Sequence, residues 1–361
     1  MQIVIMPDSF KGSLDAEQVA NAIAAGLKQS LPDAQLSLMP VGDGGENTIK
    51  ALSIALNLHA VPVAVHGADG GPITASFYTD VEGQTAYIQA ADVLGYAQYI
   101  QPGVDSTHLS STGVGELIAA ARKRGAHAAV VALGGSATSD GGVGMLQQLE
   151  FGLPGFHESF AGAASLSEIS KIVRPSGWDM TVTALADVTN PLTGSEGAAA
   201  VFGPQKNLTS FQINQIDREL TRLYPQNIAA TPGAGAAGGL GAAIAGPLQG
   251  KIVSGIDYVL DAMGADQMLQ TADVVITGEG HLDAQTKAGK VIAGIMARLR
   301  HLEVQPKTIA LCGAIDATGV QALGLDAAFA IGPGNESLPD QMKHTTVNMT
   351  NTARSVGSLL K

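Results

Sequence analysis

Short apolar runs and amphipathic helical stretches alternate at both ends of this 361-residue chain, and the alternation is interrupted between them. Residues 2–7 (QIVIMP) and 36–41 (LSLMPV) have the branched, apolar character of buried strands. Between them, apolar residues recur every four positions behind Asp15, a capping residue, as in a helix. Beyond residue 264 the runs DVVITGEG, TIALCG and AAFAIG alternate with the helical stretch KVIAGIMARLR. Such alternation predicts a parallel sheet covered by helices.

The interruption predicts a second domain. Two early and three late strands make a five-stranded doubly wound sheet, so residues 62–263 are read as an insertion. Within the insertion, ITASFYTD and TAYIQAAD are joined by VEGQ, which predicts a β-hairpin. We therefore expect an α/β fold with one discontinuous domain, residues 1–61 and 264–361, and an inserted α/β domain, residues 62–263.

Composition excludes several classes of function. The net charge is −12 and no basic face is visible, which argues against a nucleic-acid partner. The most apolar uncharged window, TPGAGAAGGLGAAIAGPLQG, lacks the Leu, Ile and Val density of a membrane span. A single cysteine, Cys312, leaves no internal disulfide, and no basic segment followed by an apolar run opens the chain. These features predict a cytoplasmic protein.

The stretch GGSATSDGGVGML, residues 134–146, carries many bare backbone amides and hydroxyls beside one carboxylate. It lies between a strand-like AAVVAL and a helical VGMLQQL, an order that predicts an anion site at a helix N-terminus. Gly134 and Gly135 would let the backbone approach a ligand, and Ser136 and Thr138 would add donors. A tight turn before a capped helix is the alternative, and Asp140 either caps that helix or helps to hold a metal.

Acidic residues recur in glycine-containing loops that follow the predicted strands. Singly, each is more often a cap or a turn residue. As a set around anion-binding loops they indicate Mg²⁺-dependent phosphoryl transfer, and Lys11 and Lys206 could neutralise the transferred or substrate charge. The acidic residues are Asp8, Asp43, Glu46, Asp187, Glu279 and Asp283.

The remaining motifs say less about function. GAGAAG, residues 233–238, fits the dinucleotide pattern G-x-G-x-x-G, but no convincing strand precedes it, so a close-packed helix start or a general phosphate loop is favoured. No P-loop, protein-kinase motif or H-E-x-x-H zinc motif occurs in the chain. His281 could act as a base, although a lone histidine is more often a solvent-facing residue.

Eight motif blocks follow one another along nearly the whole chain: PDSFKGSL, VGDGGENT, STGVGELI, GGSATSDGGVGML, ADVTNPLTGSEGAAAVFGPQK, PGAGAAGGLGAA, SGIDYVLD and TGEGHLDAQTKAGKV. They carry a resemblance to the bacterial glycerate kinases of the glycerate 2-kinase group. It implies a flavodoxin-like domain with a second α/β domain inserted. It also implies transfer of the ATP γ-phosphate to a hydroxyl of D-glycerate, giving 2-phosphoglycerate, with Mg²⁺.

With this resemblance, Asp187 is the favoured group for orienting the substrate hydroxyl, because it ends the strand TVTALA and precedes the rigid TNP turn. The other expected catalytic residues are Lys11 and Asp283, and the expected metal ligands are Asp187, Glu279 and Asp283. The expected substrate- or phosphate-binding residues are Ser9, Asp43, Gly134, Gly135, Ser136, Thr138, Asn190, Lys206, Gly235, Gly238 and Gly278.

Some positions depart from the family pattern, and two other functions stay open. His281 stands where arginine is expected, Ser139 where asparagine is usual, and Gln89 where glutamate is usual. A non-catalytic glycerate-binding protein is one alternative, based on these departures. An NAD-dependent sugar-acid dehydrogenase is the other, based on GAGAAG alone. The expected partners are D-glycerate and ATP, with no nucleic acid or membrane, and a homodimer is left open.

Overall fold

The computed structural model describes residues 1–282, 290–302, 304–334 and 336–361. The strands are β1 (Gln2–Pro7), β2 (Gln35–Leu38), β3 (His59–His66), β4 (Pro72–Thr79), β5 (Thr85–Gln89), β6 (Ala128–Ala132), β7 (Thr181–Ala186), β8 (Lys251–Ser254), β9 (Val274–Gly278), β10 (His281–Leu282), β11 (Lys307–Cys312), β12 (Ala314–Ile315) and β13 (Ala327–Ala330).

The helices are α1 (Ala16–Ser30), α2 (Thr48–Ala55), α3 (Ala91–Leu94), α4 (Tyr96–Tyr99), α5 (Thr112–Lys123), α6 (Val143–Gln148), α7 (Ala198–Phe202), α8 (Ser210–Leu223), α9 (Gln226–Ala229), α10 (Leu240–Ala245), α11 (Gly255–Ala262), α12 (Ala265–Gln270), α13 (Val291–Leu299), α14 (Ala317–Leu323), α15 (Leu338–Lys343) and α16 (Thr345–Leu359). Short 3₁₀ helices occupy Ser106–His108, Ala163–Ser165, Pro204–Lys206 and Ala236–Gly239.

The chain divides into two compact units. The first unit comprises Met1–Asp43, Lys50–Leu56 and Ile256–Lys361, and the second comprises Gly44–Ile49 and Asn57–Gly255. The second unit thus begins before residue 62 and ends before residue 263. The predicted α/β class is confirmed, while the domain limits set from the sequence stay a prediction.

The first unit is built on a five-stranded sheet in the order β13-β11-β9-β1-β2, with all neighbours parallel. Counted along the chain, this is the order 2-1-3-4-5 of flavodoxin-like sheets. The second strand is shorter than predicted and ends at Leu38, because Pro40 cannot donate to a strand ladder. Beyond it the chain still follows β1, since the Met39 amide bonds the Ile5 carbonyl.

Helix α1 shows how the sequence builds this unit. Asp15 caps it in a capping box with Gln18, and Val19, Ile23 and Leu27 are buried, as their four-residue spacing predicted. Gly26 lets α16 approach closely, since a Cβ there would lie 2.2 Å from the Thr350 carbonyl oxygen. The result is a helical layer packed on the buried strand β1.

The second unit contains a six-stranded sheet in sequential order, β3 to β8. Strands β4 and β5 form the predicted antiparallel hairpin, with Tyr78 opposite Tyr87, and β3 pairs with β4 along its whole length. From β5 to β8 the pairing is parallel, so the carboxyl ends of these four strands meet at one edge. Residues that follow β5, β6 and β7 are thereby placed side by side.

None of the helices in the described ranges combines the length and apolar character that crossing a membrane requires.

Candidate active site

The glycine-rich loop of the second unit, residues 133–142, follows β6 and precedes α6, as the sequence predicted. Gly135, Gly141 and Gly142 have φ values of 77°, 66° and 78°, a region that favours glycine. Gly134 faces another backbone, because a Cβ there would lie 2.3 Å from the Cα of Gly45. These glycines set the path of the loop.

Asp140 occupies the N-terminus of α6. Its fully buried carboxylate accepts hydrogen bonds from the amides of Gly142 (2.9 Å) and Gly144 (3.2 Å), and from the amide (2.8 Å) and hydroxyl (2.7 Å) of Ser111. Burial raises the pKa of Asp140 and these hydrogen bonds oppose the rise. Of the two roles left open for Asp140, the structure shows the cap. The chain's own carboxylate thus occupies these amides, and binding of an external anion by the loop stays a prediction.

Other donors of the loop are left without acceptors. Within the described residues, no acceptor lies at hydrogen-bond distance from the amides of Gly135, Ser136, Thr138 and Ser139, whereas the Gly134 amide bonds the Gly44 carbonyl at 3.0 Å. The Thr138 hydroxyl oxygen is buried and also lacks a partner there. Buried donors without acceptors are costly, so this part of the loop is suited to bind an anionic oxygen or water.

Lys206, predicted to bind the substrate, lies beneath the loop. The side chain is only 3% exposed, and its Nζ donates to the Thr138 carbonyl at 2.6 Å. Burial lowers the pKa of Lys206 to about 8, and the charge of Asp140 partly offsets this. A lysine held in this way supports the loop from inside the unit, while its contact with substrate stays a prediction.

The GAGAAG segment packs against the same glycine-rich loop. It follows helix α9 instead of a strand, so the dinucleotide reading fails on its structural context. Ala237, Gly238 and Gly239 are all left-handed, and the Gly238 carbonyl accepts from the Gly141 amide at 2.9 Å. A Cβ on Gly238 would lie 2.0 Å from the Thr138 carbonyl oxygen.

Gly235 and Gly238, predicted to bind a ligand, therefore pack backbone against backbone. Gly235 is buried, and its amide bonds the Asn190 carbonyl at 3.0 Å. Asn190 is itself committed to the local turn, since its Nδ2 donates to the Glu196 carbonyl at 2.8 Å. These three residues shape the region behind the glycine-rich loop.

Asp187 is half-buried and directly follows β7, the strand beside β6. The parallel pairing places it at the same sheet edge as the glycine-rich loop. This position agrees with the predicted strand end, while its catalytic role stays a prediction.

In the first unit, carboxylates follow three adjacent strands. Asp8 follows β1, Asp43 comes after β2, and Glu279 follows β9. Burial raises the pKa of Asp8 well above its usual range, and the negative charges of Asp43 and Glu279 raise it further. We call these three residues the acidic cluster.

Residues around the acidic cluster were also predicted to bind ligands. Ser9 donates its amide (2.6 Å) and hydroxyl (3.3 Å) to Asp8, and the Gly278 carbonyl accepts from the Asp8 amide at 2.8 Å. Ser9 and Gly278 thus hold Asp8 in place. Lys11 and His281 are exposed.

The predicted metal ligands are divided between the units. Asp187 belongs to the second unit, Glu279 to the first, and Asp283 lies outside the described residues. In the described ranges, no group of three or more His, Cys, Asp or Glu side chains has the arrangement of a metal site. The metal assignment stays a prediction.

Comparison with known proteins decides the family. The profile of the glycerate kinase family matches residues 3–361. The chain is 38% identical to the glycerate kinase of Bacillus subtilis strain 168, covering 100% of this chain and 98% of the relative. It is 35% identical to the glycerate 2-kinase of Escherichia coli K12, again covering 100% of this chain and 98% of the relative. The chain belongs to the glycerate kinase family.

The fold agrees with that membership. The crystal structure of a "putative glycerate kinase 2" from Salmonella typhimurium LT2 matches with a TM-score of 0.84 and 37% identity, covering 100% of this chain and 98% of that one. The resemblance inferred from the motifs and the prediction of a kinase are both confirmed.

Two positioning residues of this family member were missed by the sequence analysis. Ser111, within the STGVGELI block, gives two of the four hydrogen bonds to Asp140. Buried Gln89 donates to the Gly45 carbonyl (3.0 Å) and accepts from the Ile49 amide (3.2 Å), which ties residues 45–49 to β5. The motif block was the available signal for Ser111, and for Gln89 the signal was its departure from the family pattern.

Proposed function

We propose that this chain transfers the γ-phosphoryl group of ATP to the 2-hydroxyl of D-glycerate, giving 2-phosphoglycerate and ADP with the help of Mg²⁺. Family membership over the full chain supports the kinase class, and one full-length relative is a glycerate 2-kinase. The observation that carries the proposal is the set of loop amides, those of Gly135, Ser136, Thr138 and Ser139, that find no acceptor among the described residues, because both glycerate and ATP present anionic oxygens to such a loop.

The reaction needs little covalent chemistry from the protein. The glycerate hydroxyl oxygen attacks the γ-phosphorus, and the bond from that phosphorus to the bridging oxygen breaks, leaving its electron pair on ADP. The hydroxyl proton has to leave, and Asp187 is the carboxylate proposed to orient the hydroxyl and accept it. Positioning and charge neutralisation supply most of the catalysis in such reactions.

The carboxylates fit a magnesium ion by chemistry. Mg²⁺ prefers oxygen ligands and in kinases is held by one or two carboxylates together with phosphate oxygens and water. In the acidic cluster, burial and then the neighbouring carboxylates raise the pKa of Asp8, and a nearby cation would relieve the repulsion between the carboxylates. We propose that Glu279 and Asp283 would hold the ion, while Asp187, also predicted as a ligand, is assigned to the substrate hydroxyl. When bound, Mg²⁺ neutralises charge on the phosphates.

A coupled assay tests the proposed function. ATP consumption should require both D-glycerate and Mg²⁺ and should stop when EDTA removes the metal. Coupling the product to enolase without phosphoglycerate mutase identifies 2-phosphoglycerate directly. Activity independent of metal, or no activity with any three-carbon hydroxy acid, would contradict the proposal. Nicotinamide absorbance changes with substrate in the absence of ATP would favour a dehydrogenase.

Ser136→Ala should raise the KM for one anionic substrate by roughly three- to tenfold, with a smaller loss in kcat. The hydroxyl is one of several donors in the loop, and a single hydrogen bond typically contributes about 1 kcal/mol. Steady-state kinetics with each substrate varied in turn gives the measurement. Ser170→Ala is the matched control, since its hydroxyl bonds the Pro154 carbonyl at an exposed site. A purely kcat-based loss in Ser136→Ala would contradict the binding role.

A further inference from the structure

We propose that Lys206 is a positioning residue, which locks the peptide group between Thr138 and Ser139 so that the Ser139 amide is presented to an anionic ligand oxygen. The inference deepens the proposed function and rests on it. It assigns to Lys206 a role different from direct contact with the substrate.

The geometry of the peptide group carries the first step. In a trans peptide the carbonyl and the following amide N–H point in opposite directions. The Thr138 carbonyl is held inward by Lys206 Nζ at 2.6 Å, and Gly238 packs against the same oxygen. The Ser139 N–H must therefore point away from Lys206 and Gly238.

The second step concerns what the Ser139 amide meets. No acceptor within the described residues receives it, and Ser139 is only 2% exposed. The neighbouring Thr138 hydroxyl is likewise buried and without a partner in those residues. Two adjacent unpaired donors are an arrangement that an anionic oxygen satisfies.

Lys206 is itself held in place, so it can fix the orientation of the peptide group between Thr138 and Ser139. The hydroxyl of Ser106 donates to its main-chain carbonyl, and the side chain of the next residue, Asn207, bonds the Gln101 carbonyl at 2.9 Å. The carboxylate of buried Asp140 lies close enough to stabilise the ammonium charge. If the Lys206 bond were lost, the peptide group would be free to rotate and the Ser139 donor would no longer be fixed.

The ligand chemistry is an anionic oxygen, which either the glycerate carboxylate or an ATP phosphate can supply. Lys206→Met separates the two sources, because it keeps the length of the side chain and removes the donor. We expect the KM for one of the two substrates to rise about tenfold, with kcat within about threefold. Ligand-induced shifts in melting temperature, with glycerate alone and with a non-hydrolysable ATP analogue alone, should show the same selective weakening.

Tyr224→Phe is the matched control. The Tyr224 hydroxyl also donates to a loop carbonyl, that of Gly141, but the amide across that peptide group already bonds Asp140. This variant should lose thermal stability while both KM values stay unchanged. If Lys206→Met fails to fold, the double variant Lys206→Met/Asp140→Asn removes the unpaired buried charge and is measured in its place.

The outcomes are distinct. A rise in the KM for only one substrate in Lys206→Met supports the positioning role of Lys206 and identifies the ligand. Unchanged kinetic constants, or a loss confined to kcat, would overturn it. Equal KM increases in the Lys206 and Tyr224 variants would also overturn it, because they would indicate general loosening of the loop. Inactivity of the unmodified protein with glycerate and ATP would instead refute the proposed function.

Discussion

Asp187→Asn is expected to lower kcat by about a hundredfold or more while leaving the affinity for ATP nearly unchanged. A group that orients or deprotonates the attacking hydroxyl typically contributes about 10²- to 10⁴-fold, and an interaction made mainly in the transition state affects kcat more than KM. Asparagine keeps the size of the side chain at this half-buried position, so folding should survive. Steady-state kinetics and ATP-analogue binding provide the measurement.

Asp217→Asn makes the same chemical change at a structural position of the same unit, where the carboxylate accepts the Gly194 amide at 2.8 Å. It should leave kcat within about twofold, because it touches no proposed site residue. If Asp187→Asn instead abolished binding of ATP with Mg²⁺ but preserved kcat at saturation, Asp187 would be a metal ligand. The orienting role would then pass to Asp283 or Asp43.

The fold of the first unit could be predicted because its signals are local. Apolar runs mark β1 and β9, and the four-residue spacing with a capping box marks α1. Strand β3 carried a weaker signal, because Pro62 interrupts it and most of its residues are exposed or half-buried. Pairing with β4 along its full length forms this strand, and that contact is not visible in the strand's own sequence.

The loops that form the candidate site could be predicted from the sequence, but the roles of individual residues in those loops could not. The sequence located the glycine-rich loop and the carboxylates after β1, β7 and β9, since strand ends are local features. It could not show that Asp140 turns into its own helix N-terminus, or that Lys206 lies under Thr138. Both depend on which residues the tertiary fold buries, and a lysine or aspartate carries no sequence mark of burial.

The buried charges of Lys206 and Asp140 lead to the second large effect. Replacing either one alone, as Lys206→Met or Asp140→Asn, should lower the free energy of unfolding by about 3 kcal/mol or more, because the remaining partner loses its compensating charge inside the protein. The double variant Lys206→Met/Asp140→Asn should be more stable than the less stable of the two single variants. Its loss in the free energy of unfolding should be smaller than the sum of the two single losses. Urea unfolding followed by the fluorescence of Trp178, the only tryptophan, reports on the unit that contains the pair.

The pH dependence of the free energy of unfolding tests whether Lys206 is buried in its charged form. Its pKa of about 8 in the folded protein lies below the ordinary value of about 10.4. Between these values the unfolded chain binds a proton at this site that the folded protein does not, so stability should increase as the pH rises from 8 to about 10. Asp140 is the charged group that acts on Lys206, and the charge of Asp140 also acts on Tyr224. The increase should be absent from Lys206→Met/Asp140→Asn, which has no lysine to titrate. Parallel pH curves for the two proteins would show that Lys206 titrates in the folded state as it does in water, and the burial of a charged lysine would have to be abandoned.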